Sequence, residues 1–346
     1  MKKLLSALLI LTLALSLFAG CSSGKDSKSN SSKDSKNSSS AETNIDDLTP
    51  AEIRIAGLNG PTTMGLAKLI DDANNGKTKN KYTFEKAATG DQLTPKIIKG
   101  EIDIAALPVN LGSVLYNKTS GKVKMIAVNT LGVLYVVEKG GDTVKSVKDL
   151  KGKTVYATGK GTTPEYALTH ILEKNGLTAN DITFEWKNEP NEVLSTIATK
   201  DNAVAMIPQP FATVAMGKVE GLRVALDLTA EWDKADKDSK LITSGIFVRE
   251  DFANKNPDAV RIFLKEYEAS AKFVNENVTE AAKMIEALDI VKAQIAEKAI
   301  PKCNIVSIFG KDMKKYAKGY LDTLAEANAQ AVGGKVPGDD FYLTYE

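Results

Sequence analysis

Histidine is all but missing from this chain of 346 residues: His170 stands alone, beside only two cysteines, Cys21 and Cys303. Zinc ribbons, His-rich catalytic metal sites and an intramolecular disulfide framework are therefore short of parts. An excess of one charge is missing too. Lysine plus arginine number 45 against 44 acids, which excludes a nucleic-acid binder that relies on bulk positive charge. The longest apolar run, Leu4 to Ala19, falls short of the ~20 residues that a membrane-spanning helix needs. What remains is the balance of an ordinary globular protein, 43% hydrophobic and 26% charged, at a length that fits two domains.

The recognised chemical motifs are absent as well. Gly159-Lys160-Gly161-Thr162 has no glycine five residues before a Gly-Lys-Ser/Thr, and Pro164 stands where a dinucleotide fingerprint needs its third glycine. His170, the sole candidate base, flanks an apolar helix face and reads as packing or surface. The acid pairs Asp71-Asp72 and Asp339-Asp340 lie near helix or chain ends, and Trp186 and Trp232 read as packing. No catalytic residue, metal ligand or cofactor is assigned, and the chain is read as a non-enzyme.

Lys2 and Lys3 precede the apolar run, the arrangement of a secretory signal peptide over residues 1–20. Leu17-Phe18-Ala19-Gly20-Cys21 resembles a bacterial lipobox, with Phe18 where leucine is usual. The resemblance implies lipidation (diacylation, such as palmitate) of Cys21. Residues 21–49 are read as a Ser/Lys-rich disordered tether, because residues 22–40 offer no apolar side chain to offset the entropy of ordering. The expected location is extracytoplasmic, held to the cell membrane by the lipid. Cys303 is then a lone thiol and reads as buried packing.

From Ala51 onward, strand-like and helix-like runs alternate, the pattern of an α/β fold with largely parallel sheets. Ile53 and Ile55 mark a strand, and Pro61 opens a helix with Leu66, Leu69, Ile70 and Ala73 on one face. Residues 125–137 are apolar but broken by Asn129, Thr130 and Gly132, which predicts strands crossing between two bodies. The device then restarts: Val155-Tyr156-Ala157 as strand, a Gly-rich turn, and a helix burying Ala167, Leu168, Ile171 and Leu172. The C-terminal part reads as helical, with Asn256 as a cap and a core stripe at Val260, Phe263, Leu264, Tyr267, Ala271 and Val274.

Two turns thus place glycines, small hydroxyls and free backbone N–H groups at a helix start: Asn59-Gly60-Pro61-Thr62-Thr63 and Lys160-Gly161-Thr162-Thr163-Pro164. Helix starts attract acceptor oxygens and negative charge. Two such turns in halves joined by crossing strands fit closure over a small ligand.

The chain resembles the bacterial ABC-transporter substrate-binding lipoproteins of the nitrate/sulfonate/taurine type, and also their pyrimidine-precursor-binding branch. The resemblance covers about residues 50–340. It is carried in order by Gly100-Glu101-Ile102-Asp103-Ile104-Ala105-Ala106-Leu107-Pro108, Asp149-Leu150-Lys151-Gly152-Lys153-Thr154-Val155, Gly159-Lys160-Gly161-Thr162-Thr163-Pro164-Glu165-Tyr166 and Ile207-Pro208-Gln209-Pro210-Phe211-Ala212-Thr213. It implies a two-lobed periplasmic-binding-protein-like fold of type II, α/β, with two crossover strands as hinge. Lobe one would be 50–135 plus 236–346, and lobe two 140–230. The ligand contacts it implies are Asn59, Gly60, Pro61 and Thr62; Pro108, Val109 and Asn110; Thr130; Thr162 and Thr163; and Gln209, where relatives often carry Glu. Either Tyr135 or Tyr166 would be the stacking residue for a heteroaromatic ligand.

The expected function is capture of a small molecule, an oxyanion or sulfonate or a small heteroaromatic, and delivery by a monomer to an ABC permease, with no nucleic-acid partner. Lys160 would be the counter-charge for an anion. The alternatives are a pyrimidine-precursor synthase on the same fold, which depends on the histidine and cysteines scarce here, and a surface adhesin or receptor without transport.

Overall fold

The computed structural model describes residues 45–345. The apolar run, Cys21 and most of the expected tether lie outside the described residues. The last five tether positions do not behave as a tether. Ile45–Asp47 is a short 3-10 turn whose Ile45 and Asp46 carbonyls accept from Lys79, and Leu48 is buried.

The chain begins with β1 (Glu52–Leu58), the one-turn α1 (Pro61–Met64), α2 (Ala67–Asn74), β2 (Lys81–Ala87), α3 (Gly90–Ile98), β3 (Ile104–Pro108), α4 (Val109–Lys118) and β4 (Val123–Leu131). The interrupted apolar stretch then divides. It supplies β4 to one sheet and β5 (Leu134–Lys139) to another, as its buried polar residues predict. The second sheet is completed by β6 (Thr154–Thr158), α5 (Thr163–Lys174), β7 (Thr183–Lys187), α6 (Pro190–Ala198), β8 (Ala203–Pro208), α7 (Phe211–Lys218) and β9 (Leu222–Asp227). Through α8 (Leu228–Ala235) the chain returns to β10 (Ile242–Arg249), α9 (Glu250–Lys255), α10 (Pro257–Glu276), α11 (Val278–Ala287), α12 (Ala293–Ala299), β11 (Ile305–Ile308) and α13 (Gly310–Ala327).

The result is a two-lobed α/β fold with six strands in the order β11-β4-β10-β3-β1-β2 and five in the order β7-β6-β8-β5-β9. In the first sheet β1, β2 and β3 are parallel and β10 runs against them; in the second, β6, β7 and β8 are parallel and β5 runs against β8 and β9. The α10 stripe read from the sequence is wholly buried, with Phe263 and Tyr267 stacked. Asn256 departs from expectation. Its side chain donates backwards to the Phe252 carbonyl (3.2 Å) and closes α9 instead of capping α10.

His170 packs rather than ligates. On α5 it stacks on the fully buried Trp232 of α8, ring centroids 4.4 Å apart, and Trp232 in turn meets Tyr320 of α13. Burial, helped by Lys174, lowers the imidazole pKa against the opposing pull of Asp236, Glu173 and Glu326. The unfolded chain therefore binds this proton at a higher pH than the native one does. Stability is full above the ordinary value of 6.5 and falls as pH drops through it toward the depressed native value. Urea midpoints at pH 7.5 and 5.5 should differ less in His170→Gln than in the parent.

Candidate functional site

Sheet polarity brings the two lobes' working ends together. In the first sheet β1 ends at Leu58, β3 at Pro108 and β4 at Leu131, all on the edge where the antiparallel β10 begins. In the second, β6, β8 and β9 end at Thr158, Pro208 and Asp227, on the edge where β5 begins. Both sets of carboxyl ends therefore meet the crossover between Leu131 and Leu134. Ligands of open α/β sheets bind outside such ends, where the topology switches.

On the lobe-one side Gly60 (φ 107°) leads into α1. The turn is drawn tightly onto β1: Thr63 Oγ1 donates to the Leu58 carbonyl (2.5 Å), and a Cβ on Gly57 would stand 2.3 Å from that oxygen. From the crossover, Asn129 Nδ2 donates to the Thr62 carbonyl (2.8 Å) and Thr130 Oγ1 to that of Pro61 (3.3 Å). Pro61, Thr62 and Thr130 thus come together, all buried, and the Thr130 hydroxyl is committed to holding the turn. Val109 is buried, Gly60, Pro108 and Asn110 are half-buried, and Asn59 is exposed. Among the described residues the side chains of Asn59 and Asn110 have no hydrogen-bond partner.

The lobe-two turn closes on itself. Gly159 (φ 88°) and Gly161 (φ 70°) occupy left-handed backbone, and Thr162 Oγ1 donates to the Gly159 carbonyl (2.6 Å). The Gly161 N–H donates to the Glu165 carboxylate, so a native anion already sits at the start of α5. Thr163 lies against the buried Tyr320 phenol, whereas Thr162 and Lys160 are exposed.

Gln209 follows β8, joined to Pro210 by a cis peptide. Its N–H donates to the Val133 carbonyl of the crossover (2.9 Å), and its Oε1 accepts from Thr213 Oγ1 (2.8 Å) and N (3.3 Å), capping α7. Gln209 is only 3% exposed, yet its Nε2 meets no acceptor among the described residues.

Sequence reasoning missed the supports of the crossover. Ser244 Oγ donates to Asn129 Oδ1 (2.7 Å), fixing which end of that amide faces α1. Asn304 Nδ2 (2.7 Å) and Thr229 Oγ1 (2.9 Å) both donate to the Gly132 carbonyl. Asn129 is visible as a polar break in an apolar run. Ser244 and Asn304 bear no local signal, because their partners lie 115 and 172 residues away. The Tyr135 hydroxyl donates to the Lys302 carbonyl (2.8 Å), a wall contact across the crossover. Burial pushes the Cys303 thiol up to about 12, which suits packing and not reactivity.

Among the described residues no group of three or more His, Cys, Asp or Glu could hold a metal ion, and no helix is long and apolar enough to cross a membrane.

A family model described as NMT1/THI5 like matches residues 129–281. No curated protein matches the sequence. Among solved structures, an ABC transporter protein from Parabacteroides distasonis is similar at TM-score 0.70 and 25% identity, covering 85% of this chain and 99% of that one. The periplasmic aliphatic sulphonate binding protein of Escherichia coli follows at TM-score 0.66 and 15% identity, covering 86% and 94%. The periplasmic nitrate-binding protein of Synechocystis PCC 6803 stands at 0.56 and 12%, covering 82% and 85%. With two lobes meeting at a crossover, the chain shares the fold of these substrate-binding neighbours, and its stretch from residue 129 to 281 is similar to the NMT1/THI5-like family.

Proposed function

We propose that this chain is a lipid-anchored, extracytoplasmic solute-binding protein. It closes its lobes over a small, neutral, hydrogen-bonding solute such as a heteroaromatic, and passes it as a monomer to an ABC permease without chemical change. The observation that carries this reading is the unused Nε2 donor of the nearly buried Gln209, beside the crossover where both sheets' carboxyl ends meet. The amide nitrogen is held in place by the bonds its own backbone and Oε1 make, and a ligand oxygen or ring nitrogen entering beside the crossover can accept from it. Asn59 and Asn110 add free amides from lobe one.

The charge pattern favours a neutral guest over an oxyanion. Glu165 occupies the first N–H of the α5 turn, α1 is a single turn with little dipole to offer, and the one cation in these loops, Lys160, is exposed. A synthase reading is weakened because His170 is stacked against Trp232 and Cys303 is fully buried, so neither histidine nor thiol is free for chemistry at the loops. The sulphonate- and nitrate-binding neighbours keep the anionic class as the second reading.

Thermal unfolding of the chain with an aminopyrimidine, taurine or nitrate decides between them. A melting temperature that climbs with aminopyrimidine concentration supports the neutral class. A rise with taurine or nitrate alone overturns it, and conversion of the added compound overturns the binding role. Replacing both Asn59 and Asn110 by alanine should weaken binding roughly tenfold or more, by one to two kcal/mol of lost hydrogen bonding. Ligand-free stability should stay within about 0.5 kcal/mol, because neither side chain has a protein partner. For the anchor, Cys21→Ala should move the protein from the membrane to the soluble fraction.

A further inference from the structure

We propose that Tyr166 is a positioning residue that couples the lobe-two turn to lobe one, so that residues 159–163 keep their binding shape only while the lobes hold their present relation. The assignment rests on that turn belonging to the binding site.

The Tyr166 hydroxyl donates its one proton to the Gly161 carbonyl (2.9 Å) and accepts from Asn328 Nδ2 (2.8 Å). Asn328 ends α13, and its Oδ1 accepts from the Gln330 N–H (3.0 Å). The segment beyond it is pinned to α4, where Ser113 Oγ (2.7 Å) and Asn117 Nδ2 (2.9 Å) donate to the Val332 carbonyl. One phenol oxygen therefore links a turn on the second sheet's edge to a segment fixed on the first lobe.

The turn has little else to hold it. Residues 159–162 bury no apolar side chain, and two of them are glycines in left-handed backbone. Within residues 159–162 the other bonds reach only Gly159, Glu165 and the Tyr166 N–H, all in α5's approach and first turn, while Thr163 lies against the Tyr320 phenol. The two lobes differ in how they touch along α5. Toward its middle, His170, Trp232 and Tyr320 form a packed aromatic pivot. Along one face of α5, from Glu165 and Tyr166 past His170 to Glu173, a cavity of about 550 Å³ faces Thr323, Glu326 and Asn328, and the Tyr166–Asn328 bond crosses it near the helix start.

Hydrogen exchange on the full, ligand-free chain tests this. Amides 160–163 should exchange roughly fivefold faster in Asn328→Ala, which loses one hydrogen bond, and up to about tenfold faster in Tyr166→Phe, which loses two, and the double variant should be no faster than Tyr166→Phe alone. Exchange in the rest of α5 should not change, nor should the urea midpoint of Tyr166→Phe; that of Asn328→Ala should fall only by the loss of its cap on Gln330 N. Unaltered exchange at 160–163, additive effects of the two substitutions, or acceleration spread through α5 would overturn the coupling. Because no ligand is added, a failed ligand screen and a failed coupling are read separately.

Discussion

Gln209→Leu should weaken ligand binding about 100-fold, close to 3 kcal/mol, and all but remove the ligand-dependent rise in melting temperature. The size follows from where the amide sits. If the lobes close over the ligand and exclude water, a ligand acceptor that loses its donor is left unpaired, and the penalty is that of an orphaned buried polar group rather than of an average hydrogen bond. Leucine also strands the Thr213 hydroxyl and N–H that Gln209 Oε1 now satisfies, so ligand-free stability should drop by about 1 kcal/mol. Gln209→Glu separates the two effects. It retains an oxygen for Thr213 but replaces the donor by an acceptor, so affinity for the same ligand should fall at least as far. Isothermal titration of the three proteins reads this directly. Binding of undiminished strength in Gln209→Glu would remove Gln209 from the site.

Asp103→Ala should lower the free energy of unfolding by about 3–5 kcal/mol, the range for uncovering one side of a buried ion pair. Asp103 is 3% exposed and precedes β3 at the sheet edge away from the crossover. Its Oδ2 accepts from Arg54 N (2.9 Å) and Nε (2.8 Å), and its Oδ1 from Arg54 Nη2 (2.6 Å) and Arg249 Nη2 (2.8 Å). One carboxylate thereby ties β1 and β10 to the start of β3. Arg54 is half-exposed and can rehydrate when the carboxylate is removed; Arg249 is mostly buried and keeps Asp251 and the Ile102 carbonyl, but its Nη2 loses its partner, which places the loss at the lower end of that range.

Burial raises the Asp103 pKa, and the bonds from Arg54 and Arg249 more than reverse this, leaving it below its ordinary 3.8. Its contribution is therefore complete above that pH and fades as acid is added beyond it. Urea unfolding at pH 7 should show the full loss in Asp103→Ala, and the gap to the parent should narrow below pH 4. Ligand affinity should be unchanged, because the cluster lies at the opposite end of the sheet from the loops.

Much of this molecule is local in origin and so was legible as a string. Helix stripes such as Val260–Phe263–Leu264–Tyr267 follow from spacing alone, and the break at Asn129, Thr130 and Gly132 announced a change of sheet. Buried polar residues cannot persist inside an apolar run without partners, so the interruption itself demanded a junction. The Gly-rich turn expected before α5 is there, with Gly159 and Gly161 in left-handed backbone.

What those junctions bind to was not local. Asn304 reaches Gly132 and Tyr166 reaches Asn328 across 172 and 162 residues, and no propensity encodes such a pairing. The family resemblance implies Thr130 as a ligand contact, and nothing local shows that its hydroxyl donates to the Pro61 carbonyl. Likewise the α5 start looked open to an anion until Glu165 turned back to fill it. Elements, their order and the class of fold are already encoded along the chain, since these depend on periodicity and on turn chemistry over a few residues. Only the tertiary structure decided which polar groups are spent on the protein and which are left for a guest, because hydrogen-bond satisfaction is a property of neighbours in space.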